Sequence, residues 1–342
     1  MNKKIIDKII CLSKSSREEL SELIKDSNYS YLFTKAVQVT EKVLGKKIHV
    51  RGIIEFSNHC RCSCQYCGIG SFNNNLQRYR LETDEITKIA KKAVSVGYKS
   101  IVLQSGEDFN YDADKVSKII REIKKLGDVA ITLSIGERTF EEYHQWKKDG
   151  ADRYLLKHET SDEKLYDKYH PLSSLEKRIN CLKQLKSLGY QTGSGFMVGL
   201  PGQSLESLAD DILLLKKLDV DMAGIGVFIP HPATPLSGYS SGDNLTALKC
   251  VALTRILLKR PHLPVTTSIT VNDSKRAINP FCSGANVVMK KLEPYQYQKL
   301  YEIYPNALIN DISISDNRKL LESSIQSYGY KVSEGKGDAI LI

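Results

Sequence analysis

Ile48-His-Val-Arg-Gly-Ile-Ile-Glu-Phe-Ser-Asn-His-Cys-Arg-Cys-Ser-Cys-Gln-Tyr-Cys-Gly68 is the stretch on which the reading of this chain turns. Its first part, Ile48–Phe56, is apolar and β-branched, as a buried strand requires. That strand runs straight into Cys60, Cys64 and Cys67, a Cys-x3-Cys-x2-Cys run. Three thiolates at this spacing can hold three irons of a 4Fe-4S cubane and leave the fourth iron without a protein ligand. An open iron is a place for chemistry, whereas a cluster with four cysteine ligands normally only carries electrons. Zinc binding and dithiol chemistry are the competing uses of these thiols, Cys62 included. Structural zinc takes its ligands as two separated pairs, and the other cysteines, Cys11, Cys181, Cys250 and Cys282, are scattered singly. A thioredoxin-like pair wants Cys-x-x-Cys alone in a short domain.

Outward from this segment, the chain alternates strand-like runs with amphipathic stretches. The runs are Ser100–Leu103, Val129–Leu133, Arg153–Leu156, Gln191–Val198, Met222–Ile229, Pro264–Ile269 and Asn286–Met289, after Ile48–Phe56. Helical spacing marks Thr83–Val96, Asp114–Leu126, Ser173–Leu188 and Leu205–Leu218. Such alternation implies right-handed βαβ units and a parallel sheet. Eight units predict an α/β chain folded as a complete (β/α)8 TIM-type barrel, its last two units weakest because Ser274–Ser283 is a poor helix. Residues 48–290 are read as the barrel, 1–47 as a helical N-terminal extension, and 291–342 as a C-terminal appendage packed on it.

Polar and glycine-rich residues collect after the strands, on the face where barrel active sites are built. Gln104-Ser-Gly-Glu107 follows the second, Thr132 and Ser134 end the third, and Lys157-His-Glu159 close the fourth. Gly199-Leu-Pro-Gly-Gln203 follows the fifth and Pro230-His-Pro232 the sixth, while Thr266 and Thr267 fall in the seventh. His59, His158 and His231 are read as hydrogen-bonded structural residues. Neither a Ser-His-acid order nor His-Glu-x-x-His is present, so hydrolase and metalloprotease readings have no support.

A hydrophobic content of 41% over 342 residues suffices for a large core. Cysteines clustered rather than spread in pairs suit a reducing compartment. The charged N-terminus is unlike a signal peptide, and no apolar run is long enough to span a bilayer. The expectation is a soluble cytoplasmic protein. The formal charge of +9 is thinly spread lysine without a basic, aromatic-laced stripe, so neither nucleic acid nor membrane is expected as a partner.

The cysteine spacing, with Tyr66 just before the last thiol, resembles the signature of radical S-adenosylmethionine (SAM) enzymes. In such a site the amino and carboxylate groups of SAM chelate the open iron, and Ser105-Gly106 supply small, backbone-exposing residues beside them. Glu159 suits the ammonium or the ribose hydroxyls. Arg178 could pair with the carboxylate or form a surface ion pair. Gly224-Ile-Gly226 could lie against adenine or serve tight strand packing. Gly193-x-Gly195 lacks the third glycine and the helix of a dinucleotide fingerprint.

Further segments resemble the HydE-type maturases of iron-iron hydrogenases. They are Glu55-Phe-Ser-Asn-His-Cys60, Arg78-Tyr-Arg80, Ile101-Val-Leu-Gln-Ser-Gly-Glu-Asp108, Ala151-Asp-Arg-Tyr-Leu-Leu-Lys-His-Glu-Thr160 and Met197-Val-Gly-Leu-Pro-Gly-Gln203. Gly224-Ile-Gly-Val-Phe-Ile-Pro-His-Pro232, Val251–Leu257, Gly284–Met289 and Leu300–Pro305 continue the match. The resemblance implies a complete radical SAM barrel that cleaves SAM reductively to a 5′-deoxyadenosyl radical. Its target would be a cysteine-bound iron carbonyl cyanide complex used in assembly of the diiron subcluster. It also implies cluster ligation by Cys60, Cys64 and Cys67, and a SAM site of Tyr66, Ser105, Gly106, Ser134, Glu159, Arg178 and backbone at Met222. Gln104, Thr132, Lys157, Thr266, Thr267, Met289, Tyr301 and Tyr304 would line the inner cavity. Partners would be other maturases and a ferredoxin- or flavodoxin-type reductant, with an organometallic or amino-acid-derived substrate.

Three departures stand out. Lys157 occupies a position where arginine is usual and lacks the bidentate fork. Ser268-Ile-Thr-Val-Asn-Asp273 replaces small residues in a loop expected to face substrate. No cysteine follows Cys282, which predicts a single 4Fe-4S cluster. The alternatives are a methylornithine-synthase-like isomerase, a biotin-synthase-like sulfur inserter (disfavoured by the missing cysteines) and a non-catalytic iron–sulfur carrier. Cys62 is read as a bystander.

Overall fold

The computed structural model describes residues 2–272, 279–305 and 311–340. Its strands are β1 (Lys47–Ser57), β2 (Ser100–Ser105), β3 (Ala130–Ser134), β4 (Arg153–Leu155), β5 (Gln191–Ser194), β6 (Met197–Val198), β7 (Met222–Ala223), β8 (Gly226–Val227), β9 (Val287–Lys291) and β10 (Lys331–Val332). Parallel pairing runs from β1 through β2, β3, β4 and β5 to β7, while β9 and β10 both pair with β1. From β7 the circuit returns to β1 through two isolated parallel bridges, Met222↔His262 and Pro264↔Val287, and then through β9. The sheet is thus curled round on itself, with its seventh station reduced to bridges. Pro264 has no N–H to give to a ladder, which limits regular pairing there.

Helices Thr83–Ser95, Ala113–Lys124, Phe140–Asp149, Leu175–Ser187, Leu205–Lys217 and Asn244–Leu258 follow the strands in turn. Side chains of Asp112, Thr139, Ser174, Ser204 and Asp243 accept backbone N–H groups at their starts, which fixes where each begins. Tyr98, Tyr143, Trp146, Tyr154 and the strand residues Ile48, Ile54, Ile101 and Ile131 are fully buried in the main core. No described helix is long and apolar enough to cross a membrane.

The structure corrects three sequence expectations. Gln191–Val198 and Met222–Ile229 each divide into two short strands, and β6 pairs β8 as a separate sheet. A Cβ on Gly195 would lie 2.1 Å from the Gly224 oxygen, so the two chains approach here as only glycine permits. The predicted strand Pro264–Ile269 is absent: Thr267–Asn272 is a short helix, so Thr267 opens a helix and Ser268–Asn272 is no loop. Ser268 Oγ accepts the Val227 N–H at 3.0 Å, docking that first turn on β8. Asp273 and the first half of the expected poor helix, residues 274–278, lie outside the described residues.

The two ends of the chain embrace the barrel. Helices α1 (Asn2–Leu12), α2 (Arg17–Lys25) and α3 (Ser30–Leu44) pack against Leu205–Lys217 and Asn244–Leu258. The segment after β9 reaches the cysteine loop, where Gly68 N–H donates to Ile303 O at 2.8 Å. Farther on, β10 joins the start of β1, and residues 336–338 cover the opposite end. There Arg153 meets Asp338 at 2.7 Å, and Arg51 donates to Gly337 O at 3.3 Å.

Candidate active site

β1 ends at Ser57, and the cysteine loop begins at once. Asn58, fully buried, accepts the Tyr79 N–H at 2.8 Å and donates to the carbonyls of Gln77 (2.9 Å) and Leu300 (2.7 Å). Arg78 then threads the loop, donating to the carbonyls of Asn58 (2.5 Å), Ile69 (2.7 Å), Gly70 (2.6 Å) and Asn73 (3.2 Å). Arg80 grips Asp108 with two bonds of 2.7 and 3.0 Å, and Ser57 Oγ donates to the same carboxylate at 2.7 Å. Burial would raise the Asp108 carboxyl, but these donors outweigh it and hold it below its ordinary range. The Arg78-Tyr-Arg80 motif therefore clamps the loop to the barrel rim.

Glu107 N–H points at Cys60 Sγ, 3.3 Å away. A Cβ on Gly106 would stand 2.3 Å from His59 O and 2.6 Å from Cys60 Cβ, so the loop rests directly on this glycine. Contact with Cys62, and then burial, raises the Cys60 thiol; burial and the nearby Cys60 push Cys67 up to about 12. Thiols gathered in this way stay protonated unless a cationic group takes their charge. Among the described residues no three histidine, cysteine or carboxylate groups converge on a point that would hold one metal ion. Three thiols on one clamped loop suit a cubane, in which each would meet a different iron. Cys62 is buried, in contact with both Cys60 and Cys64.

Tyr66 stands within electrostatic reach of Cys64, Glu159 and Arg178, and burial raises its hydroxyl. Cys64 Sγ lies 3.4 Å from both ring nitrogens of His170, so the sulfur sits over the imidazole face. Glu159 has φ +63°, a left-handed conformation that a glutamate adopts only where its surroundings enforce it. Its N–H donates to Gly195 O at 3.0 Å, and its carbonyl accepts from Met197 N–H at 2.9 Å.

Arg178 is buried and paired, though not at the surface. Its Nε donates to Glu137 Oε1 at 2.7 Å and its Nη1 to the Lys157 carbonyl at 2.5 Å. Burial opposes ionisation of Glu137, but Arg178, Ser173 and Lys177 together bring it down to about 2. Glu137 N–H in turn donates to Glu107 Oε1 at 2.8 Å, linking Arg178 to the segment Ser105-Gly106-Glu107 at the end of β2. Ser105 Oγ donates to Gly106 O at 2.7 Å, and Ser134 stands opposite Gln104 in the β2–β3 register.

The residues expected to line the cavity fall into two groups. Gln104 stands beside Tyr301 and Thr267 beside Tyr304, with both tyrosines also in the field of Glu55. Lys157 lies against Gly224, where a Cβ would be 3.2 Å from its Cε, and Thr266 Oγ1 donates to Ile225 O at 2.9 Å. Thr132 and Met222 instead line a small void at the other end of the barrel with Arg51, Arg153 and His262. Met222 Sδ accepts from Arg51 at 3.0 Å, and Met289 stands opposite Arg51 in register. Met222 begins its strand and is grouped with these cations, not with the cysteine loop. Gly224 and Gly226 serve close packing against Lys157 and Ser268.

Glu137, the partner of Arg178, is a residue that sequence reasoning missed. No local pattern marks it, because its partner comes from a distant element. Arg78 and Arg80 were visible as a motif but not as a clamp.

The model of the radical SAM superfamily matches residues 54–230. The [FeFe] hydrogenase maturase subunit HydE of Thermotoga maritima is 50% identical over 297 residues, covering 86% of this chain and 85% of its own. The chain belongs to the HydE family of radical SAM enzymes. More distant from this HydE-family chain, 3-methylornithine synthase of Methanosarcina acetivorans is 27% identical over 81% of the chain and 79% of its own length. The crystal structure of a methylornithine synthase superposes with a TM-score of 0.80 at 23% identity, covering 96% of this chain and 97% of that one. The maturase HydG gives 0.79 at 19% identity, over 97% and 75%. These last two likenesses establish a shared barrel fold. The family brings with it a 4Fe-4S cluster and SAM as cofactors.

Proposed function

We propose that this enzyme acts in maturation of an iron-iron hydrogenase, on a cysteine-bound iron carbonyl cyanide complex destined for the diiron subcluster. The observation that carries the reading is a three-thiol loop, held by Arg78 and with its Tyr66 in the field of Glu159 and Arg178, in a chain half identical to a HydE maturase. When bound, the cluster and SAM supply a 5′-deoxyadenosyl radical. Cys60, Cys64 and Cys67 would hold the single cluster. Tyr66, Ser105, Gly106, Ser134 and Glu159 would grip SAM. Arg178, fixed through Nε and Nη1, keeps further donors for the SAM carboxylate. Backbone at Met222 is left out of this assignment, because its neighbours are Arg51 and Gly193. Gln104, Lys157, Thr266, Thr267, Tyr301 and Tyr304 would receive the substrate, with Thr132 and Met289 deeper in the barrel. Other maturases would deliver and take the complex, and a ferredoxin- or flavodoxin-type protein would supply electrons.

The test is a hydrogenase maturation assay from which only the HydE component has been omitted, completed with this protein reconstituted anaerobically. Restored hydrogenase activity is expected. Deoxyadenosine formation without restored activity would refute the substrate and leave the radical chemistry. Cys64→Ala should lose both the cluster and SAM cleavage, and retained cleavage would refute the cluster assignment.

A further inference from the structure

β9 stops pairing with β1 at Lys291, which leaves the Glu55 N–H without a strand partner. The carboxylate of Glu293 takes that place, accepting the N–H through Oε2 at 3.1 Å. Glu55 projects beside Gln104, whose Nε2 donates to its Oε1 at 3.4 Å, and Lys291 Nζ sits 2.6 Å from its Oε2. Lys291 also lies over the Tyr301 ring, 5.7 Å from the centroid. Glu55 and Glu293 are 5% and 1% exposed, so both carboxyls are removed from water. Among the described residues Glu293 Oε1 is buried with no nitrogen or hydroxyl donor, and the two carboxyls stand close enough to share a proton.

Two carboxyl groups stand side by side here and one ammonium, Lys291, pairs with Glu55 alone, beside Gln104 and Tyr301 of the proposed substrate cavity. With both ionised, the cluster carries one uncompensated negative charge, which is costly in a buried site. A compact cation with several N–H donors would satisfy both the surplus charge and the unpartnered oxygen. We propose that Glu55 and Glu293, with Lys291 paired to Glu55 alone, form an ammonium site that takes the amino group of an amino-acid-derived substrate. The proposal rests on the cysteine-bound substrate put forward above and assigns a residue set to one end of it. Glu55 and Glu293 recognise the charge, and Lys291 is the positioning residue.

Burial first, and then the neighbouring Glu55, push the Glu293 carboxyl up to about 8. The groups facing the pair are Lys291 from β9, Gln104 from β2, Tyr79, whose hydroxyl donates to Glu55 O at 2.5 Å, and Tyr301 and Tyr304 from the segment after β9. Near pH 7 the free pair therefore holds a proton that an arriving ammonium displaces.

The experiment is titration calorimetry on the holoenzyme with cluster and SAM bound, in two buffers of different ionisation heat. The probes are S-methyl-L-cysteine and 3-(methylthio)propionate, which differ by the amino group. The amino acid is expected to bind at least about tenfold tighter and to release up to about one proton per molecule at pH 7. Glu293→Gln should abolish that release and weaken only the amino acid. Equal affinity of the two probes for the wild type overturns the site without recourse to a variant. So does a Glu293→Gln enzyme with unchanged release and affinity. If neither probe binds but the maturation assay succeeds, the ammonium site alone falls. If both experiments fail, the cysteine-derived substrate falls with it.

Discussion

Arg78→Met removes the guanidinium that ties the two ends of the cysteine loop together while keeping a long side chain in its place. Four carbonyls, those of Asn58, Ile69, Gly70 and Asn73, lose a charged donor. A hydrogen bond from a charged group is worth about 1.5–3 kcal/mol net. Four at the low end make about 6 kcal/mol, and water reaching the half-exposed loop would recover roughly half of it. The remaining ~3 kcal/mol corresponds to about a hundredfold shift toward an open loop. The cost is local, because the Asn58 side-chain bonds and the barrel core remain, so the global unfolding midpoint should move little. Iron and sulfide per chain after anaerobic reconstitution should fall to a small fraction of wild type, and amides from residue 58 to 73 should exchange about a hundredfold faster. Arg78→Lys should recover only part of the effect, since one ammonium cannot span the same acceptors. Full cluster content with unchanged exchange would refute the clamp.

Further outcomes follow from the same geometry. Gly106→Ala places a methyl group against His59 O and Cys60 Cβ; it should displace the loop and lower cluster content, read by the visible absorption of the reconstituted protein, with little change in chain stability. Glu137→Gln strands the buried Arg178 and should cost about 3 kcal/mol in urea unfolding at pH 7. Because Arg178, Ser173 and Lys177 depress the Glu137 carboxyl from 4.5 to about 2 against its burial, its contribution is fully present above about pH 4.5 and is lost as pH falls toward 2. The gap between wild type and variant should therefore narrow with acidification over that window, and a constant gap would refute the assignment.

Much of this protein was legible in its sequence. The thiol spacing belongs to one loop, and a strand leading into it shows as a continuous apolar run, so neither depends on what packs elsewhere. The alternation of strands and helices likewise announced the parallel sheet. Thr266-Thr-Ser-Ile-Thr270 misled, because a β-branched run carries the strand signal whether or not a neighbour is in place to pair with it. Pro264 ended the ladder, and docking of Ser268 on β8 made the run helical. Paired elements far apart in the chain were decided by tertiary structure alone. Arg178 finds Glu137 across 41 residues, and Glu55 finds Glu293 across 238. The sequence by itself determined which chemistry the chain is equipped for, since cluster ligation is written in short-range spacing. Only the folded barrel decided which charges face each other in its interior, because a buried charge takes its partner, and hence its protonation, from whatever the closing sheet brings beside it.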